Sequence, residues 1–161
     1  MKRQKGVTII EFTLVSTTLL LIIFGVIEVG RYVYSLQVVN DMTRVAARLA
    51  VVCRVEDQND IPGLALSDNA PVGFTAANLT VEYLDASGNV VTGTLTDNDV
   101  FPTIEYVRAR VVDFDYQFTG LLSFVSLTGL LAVPEFETTR PRENLGRHRP
   151  TPSNPTNDTD C

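Results

Sequence analysis

Residues 7–29, VTIIEFTLVSTTLLLIIFGVIEV, carry no basic residue and only Glu11 and Glu28 as acids, and this run limits what the chain can become more than any other part of it. As a helix, its roughly twenty-three residues reach about 34 Å at 1.5 Å each, enough for one crossing of a bilayer core. The alternative is the core helix of a soluble domain. Such helices keep a polar face, however, and seldom stay apolar all round for that length. Lys2, Arg3 and Lys5 precede the run. The positive-inside rule therefore keeps the N-terminus in the cytoplasm and sends everything beyond Arg31 across the membrane. A cleaved secretory signal would have a shorter apolar core followed by a small-x-small site. Gly25-Val26-Ile27-Glu28 is a poor match to one, so the span is expected to stay in the mature protein.

The remainder of the 161 residues suffices for one modest domain. A net charge of -6 and a pI near 4.7 argue against a general affinity for nucleic acid, so no nucleic-acid partner is expected. There is no Trp, one histidine (His148) and two cysteines (Cys53 and Cys161), a short supply of catalytic parts. No phosphate-binding glycine motif, nucleophile elbow or Cys/His metal spacing occurs, which points away from an enzyme and predicts neither metal nor cofactor. His148 lies in Arg147-His148-Arg149 within a polar tail and reads as a solvated charge cluster. Asp57/Asp60, Asp97/Asp99 and Asp113/Asp115 lack calcium-loop spacing and read as turn or solvent-face carboxylates.

Glu11 is the informative residue inside the apolar run. A carboxylate within hydrocarbon costs on the order of 2.5–3.5 kcal/mol on the lenient insertion scale, so it needs a partner or a proton. Glu28 lies near the outer boundary with Arg31 on the same helical side. Glu11 has no such neighbour on its own helix. The residues KGVTIIEF, Lys5 to Phe12, resemble the processing site of type IV pilins and pseudopilins, where a prepilin peptidase cuts after a glycine on the cytoplasmic face. That resemblance makes Gly6 the last leader residue and Val7 the new N-terminus. It also implies that Glu11 forms an assembly charge pair with the freed amine of a neighbouring subunit.

A closer resemblance covers Glu11 to Cys53, EFTLVSTTLLLIIFGVIEVGRYVYSLQVVNDMTRVAARLAVVC, which is similar to the TadE-like family of tight-adherence pilus proteins. The matching features are Glu11-Phe12, the span ending in Glu28-Val29-Gly30-Arg31, Asn40, and Arg44-Val45-Ala46-Ala47-Arg48. The second half resembles the family more loosely, through a strand ending in aromatic residues, a small apolar loop and a last strand followed by Arg140. The resemblance implies a structural minor pilin or pseudopilin. Its partners would be other pilin or pseudopilin subunits, a prepilin peptidase, the pilus assembly platform and the lipid bilayer. Its place would be the bacterial inner membrane, with the pilus as a second location. A major pilin is disfavoured because major subunits of these pili resemble little more than the helix. An unprocessed single-span protein whose domain binds a ligand or partner remains the reading from another class.

The expected fold is α+β, a long N-terminal helix, transmembrane and then amphipathic, followed by a small antiparallel sheet. After Arg31, the apolar positions Val33, Leu36, Val39, Met42, Val45, Leu49 and Val52 recur three or four apart. They continue the helix to Val52 and give it a packing stripe, toward other subunits, its own sheet or both. Residues 1–6 form the leader, 7–52 the helix, 53–139 the β-rich domain and 140–161 a polar tail expected to be disordered. Within the domain, Glu56 to Gly63 break the helix into a loop. Leu79, Val81 and Tyr83 alternate with polar residues, turn chemistry follows at Asp85–Asn89, and Val90–Leu95 returns, which predicts a β-hairpin. A third strand is expected from Ile104 to Phe118, with a bulge where the parity changes at Val111-Val112. A fourth runs from Ala132 to Thr139, with Pro134 at an edge or a strand start. Gly120–Leu131 is too short for a second crossing and fits a core loop, a subunit contact or an interfacial segment. Cys53 and Cys161 either join in a disulfide, closing a loop of roughly a hundred residues, or stay as two thiols.

Overall fold

A computed structural model of the chain describes residues 5–118, 133–148 and 161. One helix, α1 (Lys5–Val52, 48 residues), forms a rod about 72 Å long. Its inner half is apolar on most sides, and two of the hydroxyls there bond back to the helix. Thr13 Oγ1 donates to the Ile9 carbonyl at 2.8 Å and Thr18 Oγ1 to that of Leu14 at 2.9 Å, so neither hydroxyl confronts hydrocarbon unpaired. α1 ends where Arg54 turns extended (φ -62, ψ 146).

The stretch read as a loop after Cys53 is instead a 3-10 turn over Val55–Asn59 followed by a one-turn helix, α2 (Ile61–Leu64), with Pro at its start. Burial of Val55 and Ile61 explains the difference, because these two apolar residues draw the polar segment onto the core. Three strands follow: β1 (Leu79–Leu84), β2 (Tyr106–Val111) and β3 (Glu137–Pro141). They form one antiparallel sheet in the order β1-β2-β3. Leu79, Val81 and Tyr83 of β1 and Val107, Ala109 and Val111 of β2 are buried, which is the period-two pattern of a sheet with one covered face. The outer half of α1 supplies the cover, against β2 and β3 above all. Burial pushes the Tyr83 phenol well above its ordinary range, and the negative charge of Asp57 adds to the effect.

The sheet corrects the predicted hairpin. Asp85–Asn89 does make the turn: the Asp85 carboxylate accepts the amides of Asn89 and Ser87, and these hydrogen bonds, with Asn89 first, hold its pKa below the ordinary value. Gly88 supplies the left-handed φ of +82. The returning chain, however, makes only the isolated Leu84–Val90 bridge, through Val91 N–H to the Tyr83 carbonyl and Asp85 N–H to the Asn89 carbonyl. Gly93, at φ +110, then turns it away, and β2 takes the place beside β1. Charge fixes that choice of partner. Glu82 lies opposite Arg108 and accepts from its Nε and Nη2 at 2.9 and 2.6 Å, while Arg110 Nη2 reaches the other carboxylate oxygen at 2.9 Å.

The parity change at Val111-Val112 marks the end of β2 and not a bulge. Asp113 adopts φ 49, and Asn78 Nδ2 ties down the carbonyls of Val112 and Asp113. Phe114 then packs edge-on against Phe74 at 5.0 Å. The last strand begins at Glu137, later than predicted, with Pro134 ahead of it and Pro141 closing it at a sheet edge. Ala132 and Gly120–Leu131 lie outside the described residues.

Residues 140–148, read from the sequence as part of the polar tail, pack against the domain. Leu145 is 1% exposed and donates its N–H to the Val51 carbonyl at 3.1 Å. Arg147 stacks its guanidinium 3.6 Å above the centre of the Phe101 ring. Gly146 makes this return possible. Its φ is +77, and a Cβ there would stand 2.6 Å from the Arg54 backbone nitrogen. Gly146→Ala is therefore expected to destabilise the domain by about 2–4 kcal/mol, from left-handed strain plus a backbone clash. An unchanged midpoint in chemical denaturation of the detergent-solubilised protein would contradict this.

Candidate functional site

Two parts of α1 carry the chemistry that the sequence singles out: an apolar stem and the junction where the stem meets the domain. Along the stem, side chains point outward, exposed among the described residues. Val7 is 67% exposed and Phe12 72%, and the most apolar stretch of α1 has no part buried in the described protein. Val7 to Ile27 rises about 30 Å, the thickness of a bilayer's hydrocarbon core. Among the described residues, one helix is thus long and apolar enough to cross a membrane.

Glu11 stands in this stem one turn from Val7, and α1 carries no basic residue between Lys5 and Arg31. Gly6 is already within α1 by its backbone, and residues 1–4 of the leader lie outside the described residues. At the other end of the stem Glu28 is only 6% exposed, with Arg31 Nη1 at 3.9 Å. Just beyond, Tyr32 meets Tyr116 of the domain edge-on at 5.1 Å, and Tyr116 meets Phe118 at 5.5 Å. Burial, and after it the charge of Glu28, raise the Tyr116 pKa.

The residues expected to form one packing stripe divide between two faces. Met42 is 2% exposed and belongs to the domain's own core, together with Val39. Leu36 and Leu49 are half-buried, whereas Val33 and Val45 are exposed. The stripe that docks the sheet is Val39, Met42, Thr43, Ala46, Ala47, Ala50 and Val51. Its alanines let the sheet approach closely, and Thr43 Oγ1 lies 3.5 Å from Thr138 Oγ1 of β3. Tyr34, Val45 and Val52 are left on the outside. Sequence periodicity found Val39 and Met42 of the docking face but not Ala46, Ala47 and Ala50, because alanine adds little to an apolar pattern. It missed the Tyr32, Tyr116 and Phe118 cluster because no local rule joins α1 to a segment that follows β2.

At the outer end of α1, Cys53 is fully buried and bonded to Cys161, 108 residues away in sequence, with a Cα–Cα distance of 5.6 Å. The Cys161 N–H donates to Asp57 Oδ2 at 3.2 Å, and the same oxygen lies 3.6 Å from Arg54 Nε. Among the described residues no three His, Cys, Asp or Glu side chains converge as metal ligands would. His148 Nδ1 sits 3.2 Å from the Asn144 amide nitrogen.

A family model described as TadE-like protein matches residues 6–48, a stretch that takes in the stem, Glu11, the junction at Glu28 and most of the docked helix. No curated protein and no solved structure matches the chain. The likeness is to a structural family of tight-adherence pilus assembly proteins.

Proposed function

We propose that this chain is a structural minor pilin or pseudopilin of a tight-adherence pilus, cut after Gly6 by a prepilin peptidase and stored in the inner membrane by α1 until it joins other subunits. The observation that carries this reading is the bare stem with a lone carboxylate one turn from Val7, inside the residues matched by the TadE-like model. The mechanism is physical association with no reaction catalysed by this chain. Cutting the Gly6–Val7 bond frees an ammonium at the cytoplasmic edge of the stem, about 6 Å in rise from Glu11. In an assembly, the amine of one subunit and the Glu11 carboxylate of the next neutralise each other, and stems pack side by side in place of lipid. The buried charge that is unfavourable in a lone subunit becomes the feature that sets register between two of them. The assembly platform in the membrane is the partner that brings stems together, and the domain beyond Arg31 lies outside the cytoplasm, in keeping with the basic leader.

The test is the mature N-terminus. Mass spectrometry of protein purified from membranes is expected to show a chain beginning at Val7. A mature chain that keeps Met1 through Gly6 overturns processing and favours an unprocessed single-span protein.

A further inference from the structure

We propose that Tyr116 and Phe118 form, with Tyr32, a second contact with the membrane, at the headgroup level of the leaflet facing the domain, so that the domain rests on the lipid surface beside its own stem. This rests on α1 being a membrane stem, and it adds an orientation and a lipid-binding surface to that reading. Along the helix, the hydrocarbon core is filled from Val7 to Ile27, and the headgroup layer takes about 5–7 Å more on each side. At 1.5 Å per residue that layer runs from Glu28 to about Tyr32. Tyr116 is 5.1 Å from Tyr32, ring centre to ring centre, so its ring lies within about one helical turn of the helical one, and Phe118 follows at 5.5 Å from Tyr116.

The orientation of the sheet agrees. Leu145, just past the end of β3, bonds to Val51 at the outer end of α1, which puts the sheet end bearing Leu84, Tyr106 and Pro141 away from the stem. The opposite end carries Leu79, Val111 and Phe136, and from Val111 the chain runs down through Phe114 to Tyr116 and Phe118. The chemistry also suits an interface. Tyr116 and Phe118 are half-buried, covered in part by protein and open in part, and Arg31, whose charge is felt by Tyr116, has half its side chain exposed. Aromatic rings and arginine at this depth place apolar atoms toward the acyl chains and polar tips toward phosphate and water.

The chain contains no Trp, so single-Trp variants report position without background. Full-length Phe118→Trp, reconstituted in phosphatidylcholine and phosphatidylglycerol vesicles, is expected to emit at shorter wavelength than Val90→Trp. It should also be quenched by lipids brominated near the headgroup end of the acyl chain. Val90→Trp, at the far end of the sheet, should not be quenched, and Leu20→Trp in the stem should be quenched most by deeply brominated lipid. Tyr116→Trp gives the same readout if Phe118→Trp fails to fold. Quenching of Leu20→Trp without quenching of Phe118→Trp or Tyr116→Trp overturns the lipid contact and leaves the stem in place. Absence of quenching at Leu20→Trp overturns both.

Discussion

Glu11→Gln is expected to insert into the inner membrane at least as well as the native chain and to leave sheared fibres depleted by roughly a hundredfold or more. Insertion improves because a neutral amide is easier to bury than a carboxylate. Assembly fails because the Val7 ammonium of each neighbouring subunit loses its counter-charge. Removing one partner of a buried ion pair costs about 3–5 kcal/mol, and every 1.4 kcal/mol is a factor of ten. The two readouts are the amount of protein in the membrane fraction and in the fibre fraction, compared by immunoblot. Normal fibre yield in this variant would take Glu11 out of the mechanism.

Cys161→Ser is expected to remove about 4–5 kcal/mol from the stability of the domain, since the bond to Cys53 closes a loop over a sequence separation of 108. That is a large part of the 5–15 kcal/mol available to an ordinary domain. Cys161 is the better position to change than Cys53, because Cys53 is fully buried and a hydroxyl there would add an unpaired polar group. Denaturation of the solubilised protein with and without reductant measures the effect. Equal midpoints for native and Cys161→Ser protein under oxidising conditions would show that the crosslink contributes nothing.

The fold was legible where a physical signal was strong and local. Some twenty apolar residues in succession leave few options besides a spanning helix, and α1 extends to Val52 as its periodicity implies. β1 was equally plain from the alternation in LTVEYL. Its partner was not. Val90–Leu95 has good strand composition, but Gly93 breaks its extended run; β2 itself was expected as a strand, while the signal for its place beside β1 lay in charges, one glutamate on β1 facing two arginines two positions apart. Leu145 escaped because one apolar residue in a polar tail makes no pattern, although its burial and the tight glycine after it decide where the segment goes. At the stem, Glu11 was conspicuous by its cost in hydrocarbon. Tyr32 and Tyr116, by contrast, become neighbours only after the whole sheet has been threaded.

α1 passes from Lys5 to Val52 without a break, so the membrane stem and the spine of the domain are one rigid object. Its seam with the sheet runs from Val39 to Val51, parallel to the helix axis for about 18 Å. Tension applied to the domain along the helix axis while the stem is held would load that seam in shear, so that its contacts resist together. Resistance to forced unfolding is set by the unfolding rate, so a chain arranged in this way can withstand a pull well beyond what its equilibrium stability alone would suggest.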